Sequence, residues 1–162
     1  MANESVPIVV KRIKEQSFVI RENLYINEPN KILSIQIGFQ LGFAIEMNFV
    51  SLIVIAYYHY PESFEPITSI QVENIFEISD LVQFKVSETE IKLPPDTISR
   101  LVDLSVNHTR SLWAKNVAGT VFQENLFPVT DLQMAKYHFP KMFEDESSPG
   151  DIDDLMNQMS RP

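Results

Sequence analysis

The sequence predicts an α+β fold, in which a four-stranded antiparallel sheet carries one long helix and a short C-terminal helix packed on it. Two patterns lead to this prediction: apolar residues alternate with small or polar ones over residues 34–48, and apolar residues recur at helical spacing between Pro94 and Gly119. A period of two is typical of strands, and spacing of three and four residues is typical of helices. Short connections between the predicted strands favour antiparallel pairing.

The four strands are predicted over residues 6–22, from 34 to a turn within 42–48, over 49–60 and over 67–78. Phe49–Tyr60 is almost continuously apolar, which predicts a strand covered on both faces of the sheet. Leu24–Asn30 contains a proline and is predicted to be a crossing loop between the first two strands. Residues 82–93 are compatible with either a short strand or a loop.

The long helix has recognisable ends. Pro95 and Asp96 suit its first turn, because proline needs no donor there and a carboxylate is favoured at the positive end. Gly119 is the expected stop. The middle of the apolar stripe is small, with Ser105 and Thr109. These small residues would admit either a second helix or close packing on the chain's own sheet, and the sequence leaves both open.

The C-terminal part divides into a domain end and a tail. Residues 120–130 are predicted to form an extended loop, and 132–143 a short helix interrupted at Pro140. The predicted domain therefore covers residues 1–143, and the acidic segment 144–162 is expected to be disordered. Within this segment, one helical face could carry Ile152, Leu155, Met156 and Met159; a solvated tail without a role is the alternative.

Composition excludes several classes of function. The net charge of −9 argues against binding to nucleic acid, whose phosphates would be repelled. The absence of cysteine excludes disulfides, thiolate zinc sites and thiol catalysis. The sequence contains no run of 18 apolar residues, so no membrane-spanning segment is expected. Met1–Val10 has no signal-peptide pattern, so a cytoplasmic location is expected.

The sequence contains no motif of an enzyme. The three histidines, His59, His108 and His138, show no metal-ligand spacing, and each is expected to be structural. The glycines are too scattered for a phosphate-binding loop, and no nucleophile-elbow motif occurs. We therefore expect no catalysis, no metal and no cofactor. A small-molecule site assembled from distant carboxylates is the alternative that a sequence does not reveal.

One segment of the chain resembles a known protein family. Gly119–Val129, which reads GTVFQENLFPV, resembles the loop after the long helix in the SecB-like protein-export chaperones. Ile75–Ile78 resembles the end of that family's fourth strand, and Lys11–Ile13 with Ser17-Phe18 resembles pieces of its first strand. The resemblance covers most of residues 8–140, and its loop is the most specific part.

The resemblance implies an ATP-independent holdase, a cytoplasmic homotetramer that binds unfolded or pre-export polypeptides in apolar grooves and serves protein transport. By position in the loop and by order elsewhere, it implies these client-binding residues: Phe18, Leu24, Tyr25, Phe122, Leu126, Phe127, Met134 and Tyr137. Core packing is the alternative for each of them.

The sequence also departs from that family. Val19 and Ser69 stand where the family has acidic residues that dock the translocase ATPase, which puts this partner in doubt. Asn74 replaces the glycine before Ile75. An alternative function is therefore a dedicated protein-interaction module on the same fold, such as a chaperone associated with a toxin–antitoxin system that serves one partner.

Overall fold

A computed structural model of the chain describes residues 6–144 and confirms the predicted α+β architecture. The strands are β1 (Ile8–Ile20), β2 (Ser34–Ala44), β3 (Phe49–Tyr60) and β4 (Ser63–Ile78). They form one sheet in the order β1-β4-β3-β2, and every neighbouring pair is antiparallel. The helices are α1 (Pro95–Val117) and α2 (Leu132–His138). Apart from Glu144, the predicted acidic tail lies outside the described residues.

Short helical turns and tight connections join these elements. Single 3-10 turns cover Glu22–Leu24, Ile45–Met47, Leu81–Phe84 and Pro140–Met142. The β2–β3 turn falls within the predicted range and ends at Asn48, whose φ of 57° is left-handed. Asparagine tolerates this conformation better than most residues. Its side-chain oxygen also accepts a hydrogen bond from the Leu81 amide at 3.0 Å, so the turn is fixed to the next connection.

β4 begins four residues earlier than the sequence predicted. Pro66 lies inside the strand, where the pairing with β3 shifts register between Tyr58 and Tyr60. A proline is tolerated at such an irregularity because the regular ladder hydrogen bonds are already interrupted. Residues 85–91 form a loop closed by a single bridge between Lys85 and Ile91, which settles the ambiguity over this region.

The two faces of the sheet differ in how far their side chains are buried. On the helix side, Val50, Leu52 and Val54 of β3 are fully buried. On the opposite side, Phe49, Ile53 and Ile55 are half-buried. The prediction that β3 is covered on both faces is therefore wrong for the described chain, in which no helix lies over that second face.

The small residues of α1 pack against the chain's own sheet. Ser105 and Thr109 are fully buried, and α1 lies against β3 and β4. The Thr109 hydroxyl donates to the Ser105 carbonyl at 2.8 Å, which satisfies it within the helix. α1 ends two residues before Gly119, whose φ of 76° a glycine adopts without strain.

Candidate functional site

An open groove runs along the C-terminal half of α1. It lies between residues 107–117 of the helix and residues 123–129 of the following loop, with a volume of about 620 Å³. We call it the helix groove. Its apolar lining includes Trp113, Val117, Leu126, Phe127 and Val129. Arg110 is the one charged side chain among its lining residues.

The rim of the helix groove is apolar and exposed, whereas its floor is buried. Leu126 is 84% exposed and Val129 is 70% exposed. Trp113 and Phe127 lie almost fully buried beneath them. Isolated exposed apolar residues are common, but two of them beside an apolar groove form a surface that a partner can cover.

Two side chains hold the loop that forms one wall. The Trp113 indole N–H donates to the Asn125 carbonyl at 3.0 Å, and the Tyr58 hydroxyl donates to the Leu126 carbonyl at 2.9 Å. Burial raises the pKa of Tyr58 to about 12, so its hydroxyl stays protonated and able to donate. The loop is therefore fixed to both α1 and β3 by its backbone, which leaves the Leu126 side chain free to point outward.

Aromatic rings from four elements meet beneath this groove. Trp113 lies 6.0 Å from Phe18 of β1, 5.0 Å from Tyr58 of β3 and 6.1 Å from Phe127 of the loop, between ring centroids. Edge-on and tilted arrangements at these distances stabilise aromatic pairs beyond the area they bury. Two of the sequence-predicted binding residues, Phe18 and Phe127, thus meet at one tryptophan.

The other predicted binding residues are placed differently. Phe122 is fully buried and packs edge-on against Tyr25 at 5.3 Å. Leu24 and Met134 are half-buried against the core. Tyr137 on α2 is 81% exposed, but it does not line the helix groove.

Taken as a set, the eight predicted residues do not form a single surface. Leu126 lies on the rim of the helix groove and Phe127 in its floor, and Phe127 and Phe122 are core residues of the described chain. Trp113 and Val129 line the groove but were absent from the predicted set. A tryptophan that ends an apolar helical stripe next to a proline-containing loop was the available signal for Trp113. No sequence pattern marked the exposure of Val129.

The two edges of the sheet are unlike each other. The pairing of β1 with β4 shifts register twice, and Lys11 and Arg12 of β1 pair with Glu77 and Glu73 of β4, each at 2.8 Å. β2 pairs with β3 over its eleven residues without a register shift and carries no charged residue. Bulges and lysines on an edge strand hinder pairing with another chain, whereas a straight uncharged edge permits it. In the described part of the chain, no strand pairs with the outer side of β2.

Val19 on β1 and Ser69 on β4 are directly opposite each other in the sheet. They stand where the resembled family has acidic residues. They lie on the face of the sheet opposite the helices. At this point the face presents a valine and a serine in place of two carboxylates. A translocase partner that needs those carboxylates would find none at either position.

The histidines occupy structural positions. The Nδ1 atom of His59 is 2.8 Å from the Tyr60 carbonyl oxygen, and that of His108 is 2.8 Å from the Asn74 side-chain oxygen. The His138 ring packs edge-on against Phe39 at 4.7 Å. Burial lowers the pKa of both His108 and His138, which favours their neutral forms.

Within residues 6–144, no three histidine or carboxylate side chains converge in a way that could hold a metal ion. None of the helices described there is both long and apolar enough to cross a bilayer.

Comparison with known proteins gives a distant structural likeness. Neither a family model nor a curated protein matches the sequence. The Mycobacterium tuberculosis Rv1957 SecB-like chaperone, solved in complex with a ChAD peptide from the Rv1956 HigA1 antitoxin, gives a TM-score of 0.45 at 8% identity, over 76% of this chain and 85% of that one. A protein of unknown function from Streptococcus agalactiae gives a TM-score of 0.39 at 8% identity, over 78% and 98%. Likenesses at these scores assign neither a family nor a function to this chain.

Proposed function

We propose that this protein is an ATP-independent holdase, which binds unfolded polypeptide segments noncovalently in the helix groove. The observation that carries the proposal is the combination of an exposed apolar rim, at Leu126 and Val129, with an aromatic floor beneath it. A client side chain placed between them would cover apolar surface that water now contacts. Nothing in this interaction requires a nucleotide or a covalent step.

The expected affinity of one groove is modest. Burying the Leu126 and Val129 side chains would contribute about 1.5–3 kcal/mol each. Association costs at least about 4 kcal/mol in lost freedom of motion, so a single groove gains at most about 2 kcal/mol and can fall short of that cost. Several grooves acting on one client would bind it far more tightly than one alone, because the later contacts are intramolecular. Such multivalent holding favours the homotetramer that the sequence resemblance implies.

The β2 edge offers a second kind of contact. An extended client segment could add to the sheet beside β2, exchanging hydrogen bonds with backbone groups that have no strand partner on that side among residues 6–144. Backbone hydrogen bonds do not depend on the client's side chains. Pairing with β2 would therefore allow clients of many sequences to bind. The helix groove would supply the preference for segments with apolar side chains.

A dedicated interaction module is the competing proposal. The helix groove could serve one partner with a matching apolar segment, as a chaperone of a toxin–antitoxin system would. A general holdase binds many unrelated clients, whereas a dedicated module binds one partner. A test with several unrelated clients therefore distinguishes the two functions.

The test measures light scattering as chemically denatured clients are diluted into buffer with and without the protein. We expect equimolar protein to suppress aggregation of at least three unrelated clients. The double variant Leu126→Ser/Val129→Ser should suppress it clearly less. A matched control, Val82→Ser/Val86→Ser, removes two exposed valines that do not line the groove and should behave as the wild type.

Two results would contradict the proposal. The wild type could leave every client to aggregate, which would exclude general holding. Alternatively, both double variants could lose activity equally, which would show that total exposed apolar surface matters and the helix groove does not. Suppression of a single client among several would favour the dedicated module.

A further inference from the structure

The helix groove combines an apolar lining with one positive charge. Arg110 is the one charged side chain among the lining residues, and it is half-buried on the wall that α1 forms. Glu124, in the loop that forms the other wall, is exposed and does not line the groove. A cation therefore lies inside the groove although the protein as a whole carries a net charge of −9.

A chain of hydrogen bonds along α1 holds the Arg110 guanidinium. The Asn107 side-chain amide donates to the Asp103 carboxylate at 3.3 Å, and the Thr130 hydroxyl donates to the same carboxylate oxygen. Because Asn107 uses its NH2 group on Asp103, its amide oxygen is left to accept from Arg110, at 3.3 Å. Asp103 thereby orients Asn107, and Asn107 orients Arg110.

Within residues 6–144, no carboxylate forms an ion pair with Arg110. Asp103 lies about two helical turns away, roughly 10 Å along the axis, and its acceptors serve Asn107 and Thr130. A guanidinium has five N–H donors, and Arg110 directs one of its nitrogens to the neutral Asn107 oxygen. The other donors can bind a carboxylate from outside through charge-assisted hydrogen bonds.

This cation lies beside the apolar rim of the groove. The loop meets α1 at Trp113, whose indole N–H donates to the loop backbone, and again at Asp103, which accepts from Thr130. Arg110 lies between these two levels of the helix, about 4–5 Å from the level of Trp113 along the axis. Residues 126–129 of the loop, which carry the exposed rim, cover the same interval on the opposite wall. One short segment can therefore contact the rim and the cation together.

We propose that the helix groove prefers apolar client segments that carry an aspartate or a glutamate. The client's apolar side chains would cover Leu126 and Val129, and its side-chain carboxylate would pair with Arg110. Residues of an extended segment follow each other at about 3.3 Å, so acidic and apolar residues within about three positions of each other would reach both parts of the groove. This preference rests on the proposed function, because it concerns clients of the same groove.

The expected preference is opposite to the one that the overall charge would give. A net charge of −9 attracts basic segments and repels acidic ones at long range. At contact distance Arg110 reverses this order, because a lysine in the groove would meet a like charge, and an asparagine would form only a weaker, neutral hydrogen bond. A preference for acidic segments would therefore report the charge of the groove itself.

The chain's single tryptophan supplies the measurement. Trp113 lies in the groove floor, so its indole N–H gives one NMR signal that is sensitive to occupation of the groove. Three peptides with alternating leucines and serines, which differ only in a central aspartate, asparagine or lysine, are titrated into the full chain. Both ends of each peptide are capped, so that the aspartate side chain is the one carboxylate offered. NMR detects dissociation constants in the millimolar range, which the modest affinity of one groove requires.

We expect the aspartate peptide to bind about three- to tenfold more tightly than the asparagine peptide, and the lysine peptide to bind most weakly. The difference should shrink in about 0.5 M salt, which screens the pair. Arg110→Gln should abolish the difference between aspartate and asparagine, and Arg110→Lys, which keeps the charge, should retain part of it. Lys115→Gln is the matched control: it removes an exposed cation of the same helix that does not line the groove, and the difference should stay as in the wild type.

Three results would overturn the preference. Equal affinities of the aspartate and asparagine peptides for the wild type would do so and leave binding in the groove intact. A preference that persists in Arg110→Gln would do so too, because another cation would then be responsible. If none of the peptides shifts the Trp113 signal, the groove does not bind apolar segments, and the preference and the proposed function are both contradicted.

Discussion

The Tyr58 hydroxyl donates a hydrogen bond to the Leu126 carbonyl at 2.9 Å, and this contact joins the middle of the sheet to the loop that walls the helix groove. Because the backbone of Leu126 is held in this way, its side chain is presented to solvent at the rim. A core tyrosine on β3 thereby sets the shape of a surface that lies 68 residues further along the chain.

Tyr58→Phe should loosen this wall. The substitution keeps the ring against Trp113 but leaves the Leu126 carbonyl without its donor, which should lower the free energy of unfolding by about 1–2 kcal/mol. Urea unfolding measures the change. Tyr57→Phe on the same strand is the matched control, since its hydroxyl bonds the exposed side chain of Gln36, and it should stay within about 0.5 kcal/mol of the wild type. Equal losses in the two variants would contradict this role for Tyr58.

Phe122→Ala and Leu126→Ala should separate stability from holding. Phe122 is fully buried, so its truncation should lower the free energy of unfolding by about 3–5 kcal/mol. Leu126 is exposed, and its truncation should change stability by at most about 0.5 kcal/mol while weakening the holding of clients. Urea unfolding and client light scattering, normalised to folded protein, give the two quantities. Weakened holding per folded molecule in the Phe122 variant would instead place this residue in the binding surface.

Stability should fall as the pH drops below about 6.5. Burial lowers the pKa of His108 and His138 in the folded chain from the usual value of 6.5. Between the lowered and the usual pKa, the unfolded chain binds protons that the folded chain does not, so acid favours unfolding there. The stabilising contribution is complete above pH 6.5 and declines as the pH falls toward the lowered values.

Urea unfolding at pH 7.5 and 5.5 measures this dependence. The double variant His108→Gln/His138→Gln should show a smaller difference between the two pH values than the wild type. The comparison uses the difference rather than the absolute stability, because His108→Gln also disturbs the hydrogen bond to Asn74. If the free energy of unfolding changes equally between the two pH values in both proteins, the histidines do not cause the pH dependence.

The protein should form a homo-oligomer. Phe49, Ile53 and Ile55 are half-buried on a sheet face over which the described chain places no helix, and a second copy would cover them. A tetramer with α1 near an interface is the state that the sequence resemblance implies. Sedimentation measures the mass, and a monomer of 18.7 kDa at every concentration would contradict this prediction.

The sequence predicted which segments form strands and helices better than it predicted how these elements pair and which of their faces are covered. Alternation along β2 and the proline and glycine at the ends of α1 are local signals, and each marked its element correctly. Pro66 misled the prediction of where β4 begins, because a proline inside a strand depends on a register shift that only the pairing reveals. An apolar run such as β3 shows what could be buried, but it does not show whether a second layer is present.

The site was harder to predict than the fold for a related reason. Phe122, Leu126 and Phe127 lie in one loop and have similar side chains, but the first and last point into the core and the middle one points to solvent. That difference is set by hydrogen bonds from Trp113 and Tyr58, which are distant in sequence or on another element. A sequence supplies the loop, whereas the direction of each side chain comes from tertiary contacts.

The unlike edges of the sheet have a consequence for polymerisation. Fibre growth through strand pairing requires two receptive edges on every subunit, so that each addition leaves a new one. Here the two register shifts and the cations of β1 hinder pairing on one side, so of the two edges of the sheet formed by the described residues only that of β2 is receptive. Two copies joined through β2 would form an eight-stranded sheet bounded by β1 at both ends, and growth would stop at the pair. A protein that exposes apolar surface is thereby protected from becoming an amyloid-like seed.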